Sequence, residues 1–307
     1  MLKPRALAPG DRVAIVAPAS PFDRDRFDAG VAEVERIGLQ PVLTRDLFAR
    51  RGYTAGDPST RARALHEAWR DPGIAGVLAA RGGYGSAQVL PLLDRELARA
   101  ARKPFIGHSD LTALLVWLSC QCGLTCFHGP MVLNLADGPA RYDLASLRRA
   151  VMDPAGVGPW PVDGVETLRG GAARGPLLGG TLTQLVASLG TPYAFDPPAG
   201  YVLLLEDVGE RPYRLDRMVT QLAASGLLGR ASGVVCGEFP GCDDPGGPLS
   251  ARVVLADLLG SVPGPVLFGF PTGHTAGPAL TVPLGAEVRV VGGTPPLVEL
   301  LEAGVAA

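Results

Sequence analysis

Short apolar runs alternate with helical patterns through the first half of the chain. Arg12 to Ala17 reads as a strand, and Phe27 to Ile37 as an amphipathic helix with Val31, Val34 and Ile37 on one side. Pro41-Val42-Leu43 is a short strand, Thr60 to Trp69 a helix, Ala75 to Ala80 a strand and Ala87 to Ala100 a further helix. The apolar run Pro104-Phe105-Ile106 then forms a strand, and Leu111 to Leu118 has the helical period again. Strands separated by helices imply βαβ units and an open, mostly parallel sheet flanked by helices. In such sheets the functional loops gather at the carboxyl ends of the strands.

From Asp153 to Pro176 this pattern gives way to Gly, Pro and isolated charges, which marks a linker between two domains. The expected division is therefore an α/β domain over residues 1–152, a linker over 153–176 and a smaller, mixed α/β domain over 177–307. In the second domain Leu177 to Leu189 opens on Gly179-Gly180 and becomes helical, and Tyr201 to Leu205 is a wholly apolar strand. Tyr213 to Ala224 and Val253 to Leu259 read as helices. Gly233 to Phe239, Val266 to Phe270 and Thr281 to Val290 read as strands.

Composition narrows the picture. The 307 residues are 47% hydrophobic and 19% charged, an ordinary globular balance, and the formal net charge of −2 carries no basic block that would suit nucleic acid. The N-terminal apolar run is too short for a secretory signal, and no run is long enough to span a bilayer, so a cytoplasmic location is expected. Cys120, Cys122 and Cys126 bunch together, but not as a C-x-x-C pair. Buried, reduced thiols are the reading preferred over a metal site.

Three strand ends carry polar groups in tight or glycine-rich settings, beside one serine. Ser109 lies in Gly107-His108-Ser109-Asp110, between a strand and a helix, where a hydroxyl is exposed and the helix start favours negative charge. A serine in that place is more often a helix cap than a nucleophile. Arg81-Gly82-Gly83-Tyr84-Gly85-Ser86 follows another strand, and its glycines allow close approach of backbone N–H groups to an anion. Glu206-Asp207-Val208-Gly209-Glu210 ends the apolar strand on acids, of which Glu206 is nearest the strand and best placed to be buried against a histidine. His274 lies in a glycine-flanked loop after Phe270-Pro271, whereas His66 reads as solvated and His128 as a pocket wall. Ser109, Glu206 and His274 together have the residue types of a catalytic triad, whose order along a chain is free.

The chain resembles the LD-carboxypeptidase (muramoyltetrapeptide carboxypeptidase) family of serine peptidases. The likeness rests on blocks in family order. These are Val13 to Ser20, Ala80-Arg81-Gly82-Gly83-Tyr84-Gly85, Ile106-Gly107-His108-Ser109-Asp110, Phe127-His128-Gly129-Pro130, Gly179-Gly180-Thr181-Leu182, Leu205 to Tyr213 and Phe270 to Thr275. The resemblance implies Ser109 as nucleophile, His274 as general base, and Glu206 as the residue orienting it; the sequence itself leaves Glu210 as the alternative acid, with Glu206 preferred for its place at the strand end. It implies an oxyanion hole from the N–H groups of Gly83 and Asp110. It also implies a cytoplasmic homodimer that releases D-alanine from murein tetrapeptide in cell-wall recycling, without metal or organic cofactor. Arg81 is expected to hold the substrate's terminal carboxylate.

Two other readings compete. Relatives of this fold cleave a peptide-nucleotide antibiotic of the microcin C type and confer self-immunity, which would call for an aromatic side chain stacked on a nucleobase. Trp160 is the candidate for that role. The other alternative is a non-catalytic module whose two lobes close on a small anionic ligand.

Overall fold

A computed structural model describes residues 1–307. In the first half the strands are β1 (Arg12–Val16), β2 (Gln40–Leu43), β3 (Gly76–Ala79), β4 (Phe105–Gly107) and β5 (Cys126–His128). The helices among and after them are α1 (Arg24–Ile37), α2 (Pro58–Arg70), α3 (Arg95–Ala101), α4 (Thr112–Val116), α5 (Val132–Leu135) and α6 (Leu144–Val151). Asp23, Asp57, Asp94 and Asp143 each cap the helix that follows by accepting from a backbone N–H of its first turn. The expected helix from Ala87 to Ala100 is instead two tight 3₁₀ turns followed by α3. Pro91 explains the break, since it has no N–H to donate and its ring crowds the preceding turn.

The second half carries β6 (Gly158–Pro159), β7 (Glu166–Arg169), β8 (Gly171–Thr181), β9 (Tyr201–Glu206), β10 (Ala231–Cys236), β11 (Val266–Phe268), β12 (Val282–Leu284), β13 (Glu287–Gly292) and β14 (Leu297–Leu300). Its helices are α7 (Leu182–Ser188), α8 (Pro212–Ala224), α9 (Leu227–Arg230) and α10 (Ala251–Leu258). Two sheets result. The first has six strands in the order β12-β5-β4-β3-β1-β2, parallel except for β12, and the second has eight in the order β6-β14-β13-β8-β9-β10-β11-β7, with parallel and antiparallel pairs mixed. The α/β class, with a mostly parallel first sheet and a mixed second one, is as expected.

Two expectations need correction. The Gly- and Pro-rich stretch at 153–176 holds β6, β7 and the start of β8, so much of it is paired into the second sheet. Thr281 to Val290 is two strands in two different sheets. β12 pairs antiparallel with β5 of the first sheet, while β13 pairs with β8 of the second. Gly285 turns the chain between them at φ 93°, a left-handed conformation that suits glycine.

Helix α4 joins the halves. Leu114 and Leu115 lie in a core shared with β3 and β4, and Val116 packs with Leu178, Leu182 and Leu185 of the second half. Each such side chain contributes about 1.5–3 kcal/mol when fully buried. The Thr112 hydroxyl at the head of α4 also accepts from Thr181 N at 3.1 Å. The carboxyl end of β4 is thereby held against the carboxyl ends of β8 and β9.

Candidate active site

The turn after β4 is built around small residues and one strained one. A side chain at Gly107 would press on Leu111 at 3.2 Å and on Ala79 at 3.4 Å. His108 is extended, and Ser109 then takes φ 63°, a left-handed conformation that costs a non-glycine residue roughly 1–2 kcal/mol. Ser109 to Leu111 makes one tight turn into α4. The Asp110 carboxylate fixes this turn, since Oδ2 accepts from Ser86 N at 2.8 Å and Oδ1 from Gln184 Nε2 at 3.2 Å. The Ser86 hydroxyl donates to the Asp110 carbonyl.

The glycine turn after β3 lies against this serine. A Cβ on Gly82 would sit 3.0 Å from Ser109 Cβ and 3.2 Å from its Oγ. Gly83 has φ 100°, and a Cβ there would meet Ser20 Oγ at 2.5 Å. Ser20 Oγ also lies 3.0 Å from the Tyr53 carbonyl and accepts from Tyr84 N at 3.0 Å, which secures the turn. Only residues without side chains let this backbone pass so near the hydroxyl.

Glu206 ends β9, a strand of six buried residues, and is itself 0% exposed. Its Oε2 accepts from His274 Nδ1 at 2.7 Å and from His274 N at 2.9 Å. Its Oε1 accepts from the Thr181 hydroxyl. Gly273 allows the loop to come this close, because a Cβ there would lie 2.6 Å from the carboxylate. Burial alone would raise the Glu206 carboxyl, yet the imidazoles of His128 and His274 hold it well below the usual carboxylate range. Burial alone would lower His274, but its hydrogen bond to Glu206 and the charge of that group raise it above the ordinary histidine value.

The structure brings the acid and the imidazole into direct bond beside the serine turn. No hydrogen bond joins the Ser109 hydroxyl itself to His274, a common condition in a site without substrate. Two contacts bridge the gap. The Thr181 hydroxyl that holds Glu206 lies 3.4 Å from the Ser109 carbonyl, and the His108 and His274 rings meet edge to face at 5.2 Å. Burial, with His274 and His128 near, pushes His108 down to about 3, and its Nδ1–H donates to the Gly129 carbonyl at 2.9 Å. It is therefore a neutral wall.

The other residues singled out in the sequence fall elsewhere. Glu210 pairs with Arg214 at 3.4 Å rather than with a histidine. Asp207 accepts from Thr183 N at 2.8 Å and from the Thr183 hydroxyl at 2.7 Å, and burial raises it to about 6. Arg81 is exposed and donates to the Pro21 carbonyl at 2.8 Å. His66 is not simply solvated, because it accepts from Asp94 N at 3.1 Å at the head of α3. Trp160 is 3% exposed, edge-on to Phe270 in the core, so it offers no face to a ligand. The cysteines are unpaired, and burial raises Cys120 to about 11 and Cys122 to about 12. Sequence reasoning passed over Thr181 and Thr272. The signal for the first was its place after Gly179-Gly180, glycines that bring β8 against β9 and α4.

Two family models match the chain: the LD-carboxypeptidase N-terminal domain over residues 13–129 and the LD-carboxypeptidase C-terminal domain over residues 174–290. The chain is 36% identical over 308 residues to a Bacillus subtilis protein named "Probable murein peptide carboxypeptidase", covering 99% of this chain and 95% of that one. It is 36% identical over 276 residues to the murein tetrapeptide carboxypeptidase of Pseudomonas aeruginosa, covering 86% and 88%. Its fold matches that of the microcin C7 self-immunity protein MccF in complex with aspartyl sulfamoyl adenosine. There the TM-score is 0.92 at 24% identity, over 100% of both chains.

Proposed function

The chain belongs to the LD-carboxypeptidase family and is a serine-type carboxypeptidase, and we propose that it releases the terminal D-alanine from murein tetrapeptide, at the bond following an L-configured centre. In this reading Ser109 is the nucleophile, His274 the general base and Glu206 its orienting acid. His274 Nε2 takes the hydroxyl proton as Ser109 Oγ attacks the amide carbonyl. The same proton then passes to the departing amine of D-alanine. Water, activated by the same imidazole, releases the remaining peptide from the serine. Glu206 keeps the His274 proton on Nδ1, which leaves Nε2 as the accepting nitrogen, and it stabilises the imidazolium while that proton is in transit.

Gly83 and Asp110 supply backbone N–H groups to the developing oxyanion, where a single donor is worth about 3 kcal/mol of barrier. Arg81 receives the terminal carboxylate with the part of its guanidinium not engaged by Pro21. The observation that carries the reading is the double grip of Glu206 on His274 beside a left-handed serine. The match to a murein tetrapeptide carboxypeptidase supports the choice of substrate. The resemblance supports action in the cytoplasm, during cell-wall recycling, as a homodimer; in keeping with a non-membrane protein, no helix is long and apolar enough to cross a bilayer.

The fold shared with the self-immunity protein favours a second substrate, a peptide-nucleotide amide. Burial of Trp160 speaks against it, because the aromatic residue nominated to stack on a base faces the core. A fluorophosphonate serine probe tests the machinery whichever substrate is used. Ser109 is expected to be labelled in the native protein and not in His274→Ala, and labelling that survives this substitution would overturn the roles assigned.

A further inference from the structure

Glu206 has two oxygens, and His274 occupies only one of them. The other, which accepts from the Thr181 hydroxyl, also faces His128, at the end of β5, which is 0% exposed. His128 Nδ1 lies 3.2 Å from Thr272 Oγ1, and that hydroxyl lies 2.8 Å from the Leu280 carbonyl. His128 Nε2 has no hydrogen-bond partner and stands 3.7 Å from Glu206 Oε1. That distance is beyond a hydrogen bond but well within strong electrostatic reach in a dry site. A bare nitrogen lone pair facing that buried carboxylate would be repelled, which favours the tautomer with its proton on Nε2, in which Nδ1 accepts from the Thr272 hydroxyl in place of the Leu280 carbonyl. Gly273 leaves the room for this approach, since a Cβ on it would lie 2.8 Å from His128 Cε1 and 2.6 Å from the Glu206 carboxylate.

We propose that His128 is a positioning residue that presents Nε2–H to Glu206, so that the acid sits between two imidazoles rather than behind one. The inference rests on the roles given to Glu206 and His274 above. The second donor draws part of the carboxylate's charge away from His274. That weakens the hold on the proton which His274 must pass to the leaving amine, while still fixing the carboxylate in place. The other groups around this cluster are the His108 ring, 5.8 Å from His128 and 5.2 Å from His274, and Asp207 beside Glu206. Glu238 and Arg141 hold the His274 loop through the N–H and carbonyl of Ala276.

Two substitutions separate the ring's two nitrogens. Asparagine at position 128 keeps a polar group near Thr272 but gives up the one facing Glu206, whereas glutamine extends an amide N–H to that place. His128→Asn is expected to lower kcat on murein tetrapeptide about tenfold with KM unchanged, and to raise the pH at which His274 titrates by about half a unit or more. His128→Gln restores both toward the native values. The titration is read by NMR of the imidazole without substrate, so it is independent of which peptide the enzyme cleaves. Identical His274 titration in all three proteins, or equal losses in the two variants, would assign His128 a packing role only. Imidazole ¹H–¹⁵N correlation spectra of the native protein add a test that needs no variant to fold. A proton on His128 Nε2 at neutral pH supports the proposal, and an unprotonated Nε2 overturns it.

Discussion

One oxygen of Glu206 holds His274 twice, through the ring at 2.7 Å and through the backbone at 2.9 Å. The second bond matters because it ties the imidazole to the position of its own loop, leaving little freedom about the side chain. An amide at position 206 preserves the shape but offers at Oε2 either an uncharged oxygen or a donor that cannot accept from Nδ1–H. Glu206→Gln is therefore expected to lower kcat by about 10⁴-fold, the size of effect that an acid-to-amide change has in a Ser-His-Asp triad. Steady-state kinetics checks it, with a melting curve to show that the fold persists.

The same bond sets the pH response. His274 is raised above its ordinary 6.5 by Glu206 despite the opposing effect of burial, and it must be neutral to accept the serine proton. The acid limb of kcat/KM is thus expected above pH 6.5, with activity lost as pH falls through it. Stability follows two opposite signs. Glu206, depressed in the fold, stabilises above its unfolded value of about 4.5, and that contribution is lost as pH falls through its folded value. His274, raised in the fold, stabilises below about 6.5, and that contribution is lost as pH rises through its folded value. In Glu206→Gln the residual activity should show an acid limb moved to lower pH, because burial is then opposed only by the smaller effect of the Asp207 charge.

Strain at Ser109 makes a prediction that needs no substrate. At φ 63° both Ser and Ala pay for their Cβ, whereas Gly does not. Ser109→Gly should be more stable than Ser109→Ala by about 1 kcal/mol in chemical denaturation, with both inactive. An alanine variant equal to or more stable than the glycine variant would mean that the turn relaxes at little cost.

Arg81 keeps one guanidinium nitrogen on Pro21 and is otherwise exposed at the glycine turn. Arg81→Met should raise KM for murein tetrapeptide about tenfold or more with little change in kcat, because a fork that binds a carboxylate acts on substrate and transition state alike. An unchanged KM removes Arg81 from carboxylate binding.

The strand ends that carry Ser109, Glu206 and His274 were legible because each follows an apolar run cut off by glycine, proline or charge. Tyr201 to Leu205 could only be a buried strand, which left Glu206 at its exit. β8 was hidden because Gly171, Gly175, Gly179 and Gly180 suit a loop by propensity. Packing overrides propensity here: a Cβ on Gly175 would lie 2.0 Å from the Gly200 carbonyl, and one on Gly179 would lie 2.1 Å from the Leu204 carbonyl. The split of residues 281–290 between two sheets was not legible either, since a period-two pattern states which face is buried but not which sheet receives the strand. Thr181, and the contact of His128 with Glu206, escaped notice for a related reason. A threonine in a strand and a histidine in an apolar run reveal their partners only when β5, β8 and β9 are set side by side.

The most direct measurement is incubation of the purified protein with murein tetrapeptide, followed by mass analysis of the products beside a Ser109→Ala control. The account predicts loss of a single alanine from the native reaction, with tripeptide accumulating in step, and an intact tetrapeptide in the control. An unchanged tetrapeptide with the native protein, or equal cleavage by Ser109→Ala, would contradict it.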